Sequence, residues 1–288
     1  MVSIVKEKGF YYLKHMNGKK QKRKYLGKTI PKNIEELKKA FLREFYCEEW
    51  DNQIQTIIKN YKKKNKGLEK SIELKNFESF GIAFTYNTQR IEGSNLTLSD
   101  TRNLLAHGLT PTKKSPTDTI ETQKHYDWFM KLVTSKKLAK ITKAEILKWH
   151  KEIFGQTKIG EAGGFRSHRV GVTTNDEIEF ATVPEIPKKI KEFFTWLNKE
   201  KPKNPVEFSA MAHYIFVSIH PFADGNGRIS RLIMNYILFL YDCPFMLIKN
   251  RDKAGYSKAL ERSQIKKDDI HFLKWFMKYY MKNNKKYL

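Results

Sequence analysis

The run from His220 to Arg231, His-Pro-Phe-Ala-Asp-Gly-Asn-Gly-Arg-Ile-Ser-Arg, sets a base, a hard-metal ligand, an anion cradle and two arginines side by side. His220 follows the apolar stretch Val206–Ile219, so it stands where a buried helix ends. Its imidazole titrates near neutrality, as a base that takes a proton from a hydroxyl must. Pro221 turns the chain, and Phe222 is the apolar anchor that pins the loop to a core. Asp224 supplies the kind of oxygen that Mg²⁺ uses when it also binds phosphate. Gly225, Asn226 and Gly227 lead into an apolar helix, Ile229–Leu240, where backbone can approach an anion and helix-start N–H groups attract it. Arg228 and Arg231 share one side of that helix, and their forks match phosphate geometry. Taken singly, His-Pro is a turn, Asp-Gly-Asn-Gly is a loop or hairpin turn, and the arginines face solvent. Their contiguity, in this order, argues for moving part of a nucleotide onto a hydroxyl. No Gly-Lys-Ser/Thr follows a strand, which excludes a Walker-type loop.

The segment resembles the signature of the Fic family (filamentation induced by cyclic AMP), His-x-Phe-x-Asp/Glu-Gly-Asn-Gly-Arg-x-x-Arg, and meets every fixed position of it. The resemblance implies a mainly α fold, a helical bundle that transfers AMP from ATP to a Ser, Thr or Tyr hydroxyl of a target protein. In that reading His220 is the base, Asp224 holds Mg²⁺, and Gly225, Asn226, Gly227 and Arg228 grip the phosphates. Arg231 receives either the γ-phosphate or an inhibitory glutamate. Thr88-Gln-Arg-Ile-Glu92-Gly93 is similar to the family's inhibitory motif Ser/Thr-x-x-x-Glu-Gly/Asn. Apolar positions recur from Leu74 through Ile91, Gly93 can cap a helix, and Thr88 and Glu92 share a face. A glutamate in a last helical turn opposes the dipole and asks for an outside cation, for which Arg231 is the candidate. The expectation is autoinhibition, with Glu92 also orienting water for hydrolysis of AMP from a modified target.

Between these motifs, Gly164–Val172 and Ile178–Pro184 alternate apolar residues around a polar turn, which reads as a β-hairpin. It resembles the family's flap, which holds the target segment by strand addition, with Thr182 and Val183 in contact. Arg166 is expected to be structural. Tyr256 resembles a tyrosine of the adenine pocket and is expected as a nucleotide contact, while Gln264 departs from the asparagine that relatives often carry. The same fold in relatives transfers phosphate or phosphocholine by inverting the bound substrate. Loops lacking the first glycine fit the phosphate-transfer variant, and Gly225 favours AMP.

The elements that must position these residues are legible at lower resolution. Residues 3–27 read as a β-hairpin around Asn17-Gly18, and about 34–64 as an amphipathic helix through Leu37, Phe41, Phe45, Trp50, Ile54 and Ile58. Residues 69–93 form the inhibitory segment and 98–154 three helices with a connector at 108–118. Helices follow over 184–199, 206–219, 228–240 and from Tyr256 onward. The organisation expected is an accessory N-terminal hairpin and long helix over 1–66, then the catalytic region over 67–288. A chain of 288 residues with 40% hydrophobic content can bury a real core. Two cysteines are too few for a disulfide framework. The start lacks the apolar region of a signal peptide, and no stretch reads as a membrane span, so a cytoplasmic protein is expected. The net charge of +24 favours nucleic acid or acidic proteins electrostatically, and Lys22–Lys24 beside Tyr25 fit such a partner. The lysines are nevertheless dispersed, so a nucleic-acid-binding regulator is the rival reading and not the favoured one. A homodimer is compatible with the sequence.

Overall fold

A Lys-Gly pair at positions 8 and 9 adds a strand that the sequence reading did not contain. The computed structural model describes residues 2–18, 20–135, 140–171, 177–199 and 201–288. Both Lys8 (φ 49°) and Gly9 (φ 83°) are left-handed, the pattern of the turn that closes a two-residue hairpin. The N-terminal element is therefore a three-stranded antiparallel sheet, β1 (Ser3–Glu7), β2 (Phe10–Asn17) and β3 (Lys20–Gly27), in the order β1-β2-β3. The expected hairpin is its β2–β3 half. Leu13 and His15 on β2 are buried, as are Phe41, Phe45, Tyr46 and Trp50 on the helix α1 (Ile34–Asn65) that follows. The His15 ring meets Phe45 edge-on at 4.7 Å, which fixes the inner face of the sheet against α1.

The chain divides into two compact units, Met1–Thr56 and Ile57–Leu288, so the division falls inside α1 and not at its basic end. The second unit continues with α2 (Lys70–Ile91), α3 (Leu98–His107), α4 (Pro116–Thr134) and α5 (Lys143–Phe154). It ends with α6 (Ile186–Leu197), α7 (Pro205–Ile219), α8 (Asn226–Leu240), α9 (Lys253–Ile265) and α10 (Ile270–Asn283). Local chemistry sets these starts. Thr97 and Asp100 form a reciprocal capping box on α3, Ser115 and Thr142 accept from the third residue of α4 and α5, and Asn204 accepts from Val206 and Glu207 on α7. The helix α8 is the centre of the unit, buried along almost its whole length and packed on α7. Phe84, Phe129, Trp149, Phe216, Ile229 and Ile233 join α2, α4, α5, α7 and α8 in one hydrophobic core. Among the described residues no helix is long and apolar enough to cross a membrane.

The region expected to form a flap hairpin differs. Residues 172–176 lie outside the described residues, and the arms around them are irregular, with no strand. Their ordering comes from Arg166. Its guanidinium donates to the carbonyls of His220 (2.8 Å), His168 (2.9 Å) and Ala181, which satisfies backbone that a ladder would otherwise have paired.

Candidate active site

The connection from α7 to α8 is six residues, 220–225, and each end is fixed by backbone geometry. His220 closes α7 in the left-handed region (φ 53°, ψ 56°), an uncommon conformation for a non-glycine residue and one that recurs at functional sites. Its Nδ1 lies 3.2 Å from the Val217 carbonyl, which can only accept, so Nδ1 carries the hydrogen and Nε2 the lone pair. The ring stacks on Phe180 at 3.9 Å. Burial, with the Arg166 charge adding to it, pulls the imidazole down to about 4, against smaller opposing effects of Val217, Glu92 and Asp224. The group is thus a neutral base at pH 7.

Phe222 is fully buried, with its ring stacked on His150 at 3.8 Å. Asn226 holds the loop from the other side. Its carboxamide accepts from the Phe222 N–H at 2.9 Å and donates to the Phe222 carbonyl at 2.8 Å. The side chain is therefore a brace within the loop, and any phosphate contact at this position comes from backbone. Gly225 begins α8 with φ 82°, and a Cβ there would stand 2.6 Å from the Phe154 ring. That position requires glycine twice over, for conformation and for space.

Asp224 points toward solvent with 45% of its side chain exposed. Its carboxylate accepts from Gly225 N (2.6 Å), Lys158 Nζ (3.0 Å) and Arg228 Nη2 (3.2 Å). Burial opposes its ionisation, but Arg228, Lys158 and the Gly225 N–H outweigh that and hold the carboxyl below its usual range. Arg228 turns inward, forms a buried ion pair with Glu121, and lies over the Phe154 ring at 4.4 Å.

Arg231 is 1% exposed and is surrounded by partners from α2 and α9. It donates to the Glu92 carboxylate at 2.5 Å, to the Thr88 carbonyl at 3.3 Å, to Thr88 Oγ1 at 3.4 Å and to the Tyr256 hydroxyl at 3.3 Å. Glu92 ends α2, with Gly93 at φ 102° turning the chain away. The Glu92 carboxylate also rests directly on Gly227, in the space a Cβ would take. Burial raises its proton affinity, and Arg231 and Arg228 reverse that, so the group is held ionised. An anion already lies in the cradle at the start of α8.

Residues 140–238 match the model of the Fic/DOC family. The chain is 34% identical over 183 residues to the protein adenylyltransferase Fic of Nematostella vectensis, and 34% identical over 184 residues to that of Drosophila ananassae. These matches cover 62% and 61% of this chain but only 42% and 35% of the two relatives. Among solved structures, a Fic-domain-containing signaling protein from Bacteroides thetaiotaomicron is similar at TM-score 0.70 and 25% identity, over 81% of this chain and 95% of that one. Fic-1 from C. elegans is similar at TM-score 0.73 and 25% identity, over 89% and 77%. Residues 140–238 carry a Fic domain.

Three of the expected site residues stand differently in the structure. Thr182 and Val183 stand in a short turn in which Glu185 accepts from Thr182 N (2.7 Å) and Oγ1 (2.8 Å), and Val183 begins a 3₁₀ turn before Pro184. The Thr182 N–H is already satisfied by Glu185, so an added strand would have to displace that carboxylate to pair there. Tyr256 is buried against Phe272 and Trp275, and its hydroxyl bridges Arg231 and His213 (2.9 Å), which makes it a support for the arginine. Four residues of the site lay outside the sequence reading. Glu121 pairs with Arg228 and accepts from Thr157 Oγ1 at 2.6 Å. Lys158 pairs with Asp224, and His150 links the Asp224 carbonyl (3.0 Å) to the Gly163 N–H (2.9 Å). Phe180 covers the base. For Glu121 and His150 a signal existed: each is a polar residue on the apolar face of its helix, beside His125 and Phe129 or Trp149 and Ile153.

Proposed function

We propose that this chain is a protein adenylyltransferase that moves AMP from ATP to a hydroxyl side chain of a protein, its own chain included. ATP lies with its phosphates on the N–H groups that open α8. The target hydroxyl gives its proton to Nε2 of His220 as its oxygen bonds to the α-phosphorus. The bond from that phosphorus to the bridging oxygen of the β-phosphate breaks, and pyrophosphate leaves. The neutral state of His220 and the tautomer set by Val217 support this role. Catalysis is positioning plus fixed electrostatics, with no covalent intermediate on the chain.

The donor set at Asp224 fits Mg²⁺. It is one partly exposed carboxylate, and no group of three or more His, Cys, Asp or Glu that could hold a metal occurs among the described residues. Mg²⁺ commonly takes one or two carboxylates and completes its shell with phosphate oxygens and water. When bound it would neutralise phosphate charge. Lys158 and Arg228 both pair with this carboxylate.

The observation that carries the reading is the Glu92 carboxylate between Arg231 and Gly227. It occupies the anion site that a γ-phosphate would use, which supports autoinhibition by α2. The presence of Gly225, with its double requirement for glycine, favours AMP transfer over phosphate transfer. The test incubates wild type, Glu92→Gly and His220→Ala with ATP labelled at the α- or γ-phosphate. Label from the α-position alone, stronger in Glu92→Gly and lost in His220→Ala, is the expected result. Label from the γ-position would replace the reading with phosphate transfer.

A further inference from the structure

Residues 1–32 hold ten lysines and arginines against one acid, Glu7, a net of +9 in a chain whose total is +24. Residues 33–56 hold three basic and six acidic residues, a net of −3. Charge is thus segregated by layer, a cationic sheet on an anionic stretch of helix. The helix acids serve the inner face: Lys22 reaches Glu44 at 2.9 Å and Glu48 at 2.7 Å, and Asn17 reaches Glu49 at 3.1 Å. On the outer face the acid is Glu7, which accepts from Arg23 at 2.6 Å.

Strand register defines that outer face. Leu13 and His15 are buried, so Tyr12, Lys14 and Met16 point the other way, beside their partners Tyr25, Arg23 and Gln21 on β3. Met16 and Tyr25 are 55% and 56% exposed. At its edges stand the exposed lysines Lys8, in the β1–β2 turn, and Lys28, just past β3.

We infer that this face binds duplex DNA. A β-ribbon enters a major groove about 12 Å wide, and alternate side chains of β2 and β3 then meet base edges. Arg23 and Gln21 carry the fork and carboxamide that pair with guanine and adenine, while the rim lysines fall toward phosphates on either side. The exposed Glu7–Arg23 pair contributes little and exchanges readily for DNA. Stacking of single-stranded bases fits less well. The Arg23 guanidinium lies 4.7 Å from the Tyr12 ring centre, and Tyr25 tilts 59° to Tyr12 and 52° to Phe10, which leaves no flat platform. The inference is independent of the transferase reading.

The experiment is fluorescence anisotropy of the full chain on a labelled duplex of about 20 base pairs and mixed sequence, at several salt concentrations. Wild type binds, and its affinity falls with salt at a log–log slope of about −0.9 per phosphate contacted. Lys14→Ala/Arg23→Ala and, separately, Lys8→Glu/Lys28→Glu weaken binding about tenfold or more and flatten the slope by about one per lost phosphate contact. Lys285→Ala/Lys286→Ala, which removes as much charge elsewhere as the first pair, changes it less than about twofold. Circular dichroism and melting check that each variant folds, so a loss in either sheet variant reads binding. Equal effects of sheet and control variants would overturn the inference. So would absence of duplex binding near 100 mM salt, or tighter binding to the single strand or to phosphatidylserine vesicles. An active transferase that fails here leaves its own activity standing.

Discussion

Two carboxylates and one imidazole decide what the site does with a proton and an anion. His220 is pulled to about 4, chiefly by burial, so it stays unprotonated over the neutral range. An ordinary histidine base would give an acid limb near pH 6.5 in kcat/KM. For this chain the limb falls well below that, and the Glu92→Gly variant shows the same, because Glu92 raises the His220 value and its removal cannot move the limb upward. A pH profile of self-modification by Glu92→Gly, from neutrality downward, checks this; a half-point near 6.5 counts against the buried neutral base. The second prediction concerns Glu92 itself. Its charge-assisted bonds to Arg231 compete with a phosphate for one cation, and such a bond contributes about 1.5–3 kcal/mol. Glu92→Gly should therefore tighten productive ATP use about 10- to 100-fold, measured as the rate of label incorporation at sub-saturating ATP. Arg231 then lacks its carboxylate, so the melting temperature of the variant should fall while its activity rises.

At the scale of elements, the question is what holds a six-residue loop in one shape between two buried helices. Asn226 does so with a donor and an acceptor on the same Phe222 backbone, at 1% exposure. Asn226→Ala strands both backbone groups, at about 1–3 kcal/mol each, and misplaces His220. Thermal melting and turnover should fall together, whereas loss of turnover alone would mean that Asn226 touches nucleotide. Glu121 braces Arg228 in the same way from α4. Glu121→Gln leaves the buried guanidinium with only the longer pair to the half-exposed Asp224, an effect of up to about 3–5 kcal/mol that denaturant unfolding would read directly. These two residues also mark the limit of reading the sequence. The loop, its Gly225 helix start and the Thr88–Gly93 helix end are local patterns, and each was legible because its partners lie within a few positions. Glu121 meets Arg228 across 107 residues and His150 meets Asp224 across 74, contacts that only the packing of α4 and α5 on α8 creates. The strand β1 escaped for another reason: its turn uses Lys8, a residue seldom found with positive φ, where Asn-Gly would have announced a hairpin. The flap pattern alternated like a strand, but Arg166 and Pro184 settle that backbone without a ladder.

For the whole molecule, the histidines closed inside the second unit make folding itself sensitive to acid. His125 and His213 are fully buried and pulled to about 3, mainly by burial and then by Arg231, and His150 is pulled to about 4 by burial. A histidine whose folded value lies below its unfolded value of about 6.5 stays neutral in the native state while the unfolded chain takes up a proton. The unfolded state then binds more protons, so stability rises with pH through that window and is lost as pH falls below about 6.5. For one such histidine the loss at pH 5 is about 2 kcal/mol. Two at 0% exposure, His125 and His213, would together remove about 4 kcal/mol, a large fraction of the margin of an ordinary domain. Glu92 and Asp224, held below their usual ranges, add their losses only at lower pH. The expected outcome is a melting temperature that drops steeply between pH 6.5 and 5, before carboxylates titrate. His125→Asn, which cannot take up a proton on unfolding and keeps a polar partner for Thr85, should flatten that drop even though it lowers stability at pH 7. A melting curve against pH that is equally steep in both proteins would show that some other group carries the acid sensitivity.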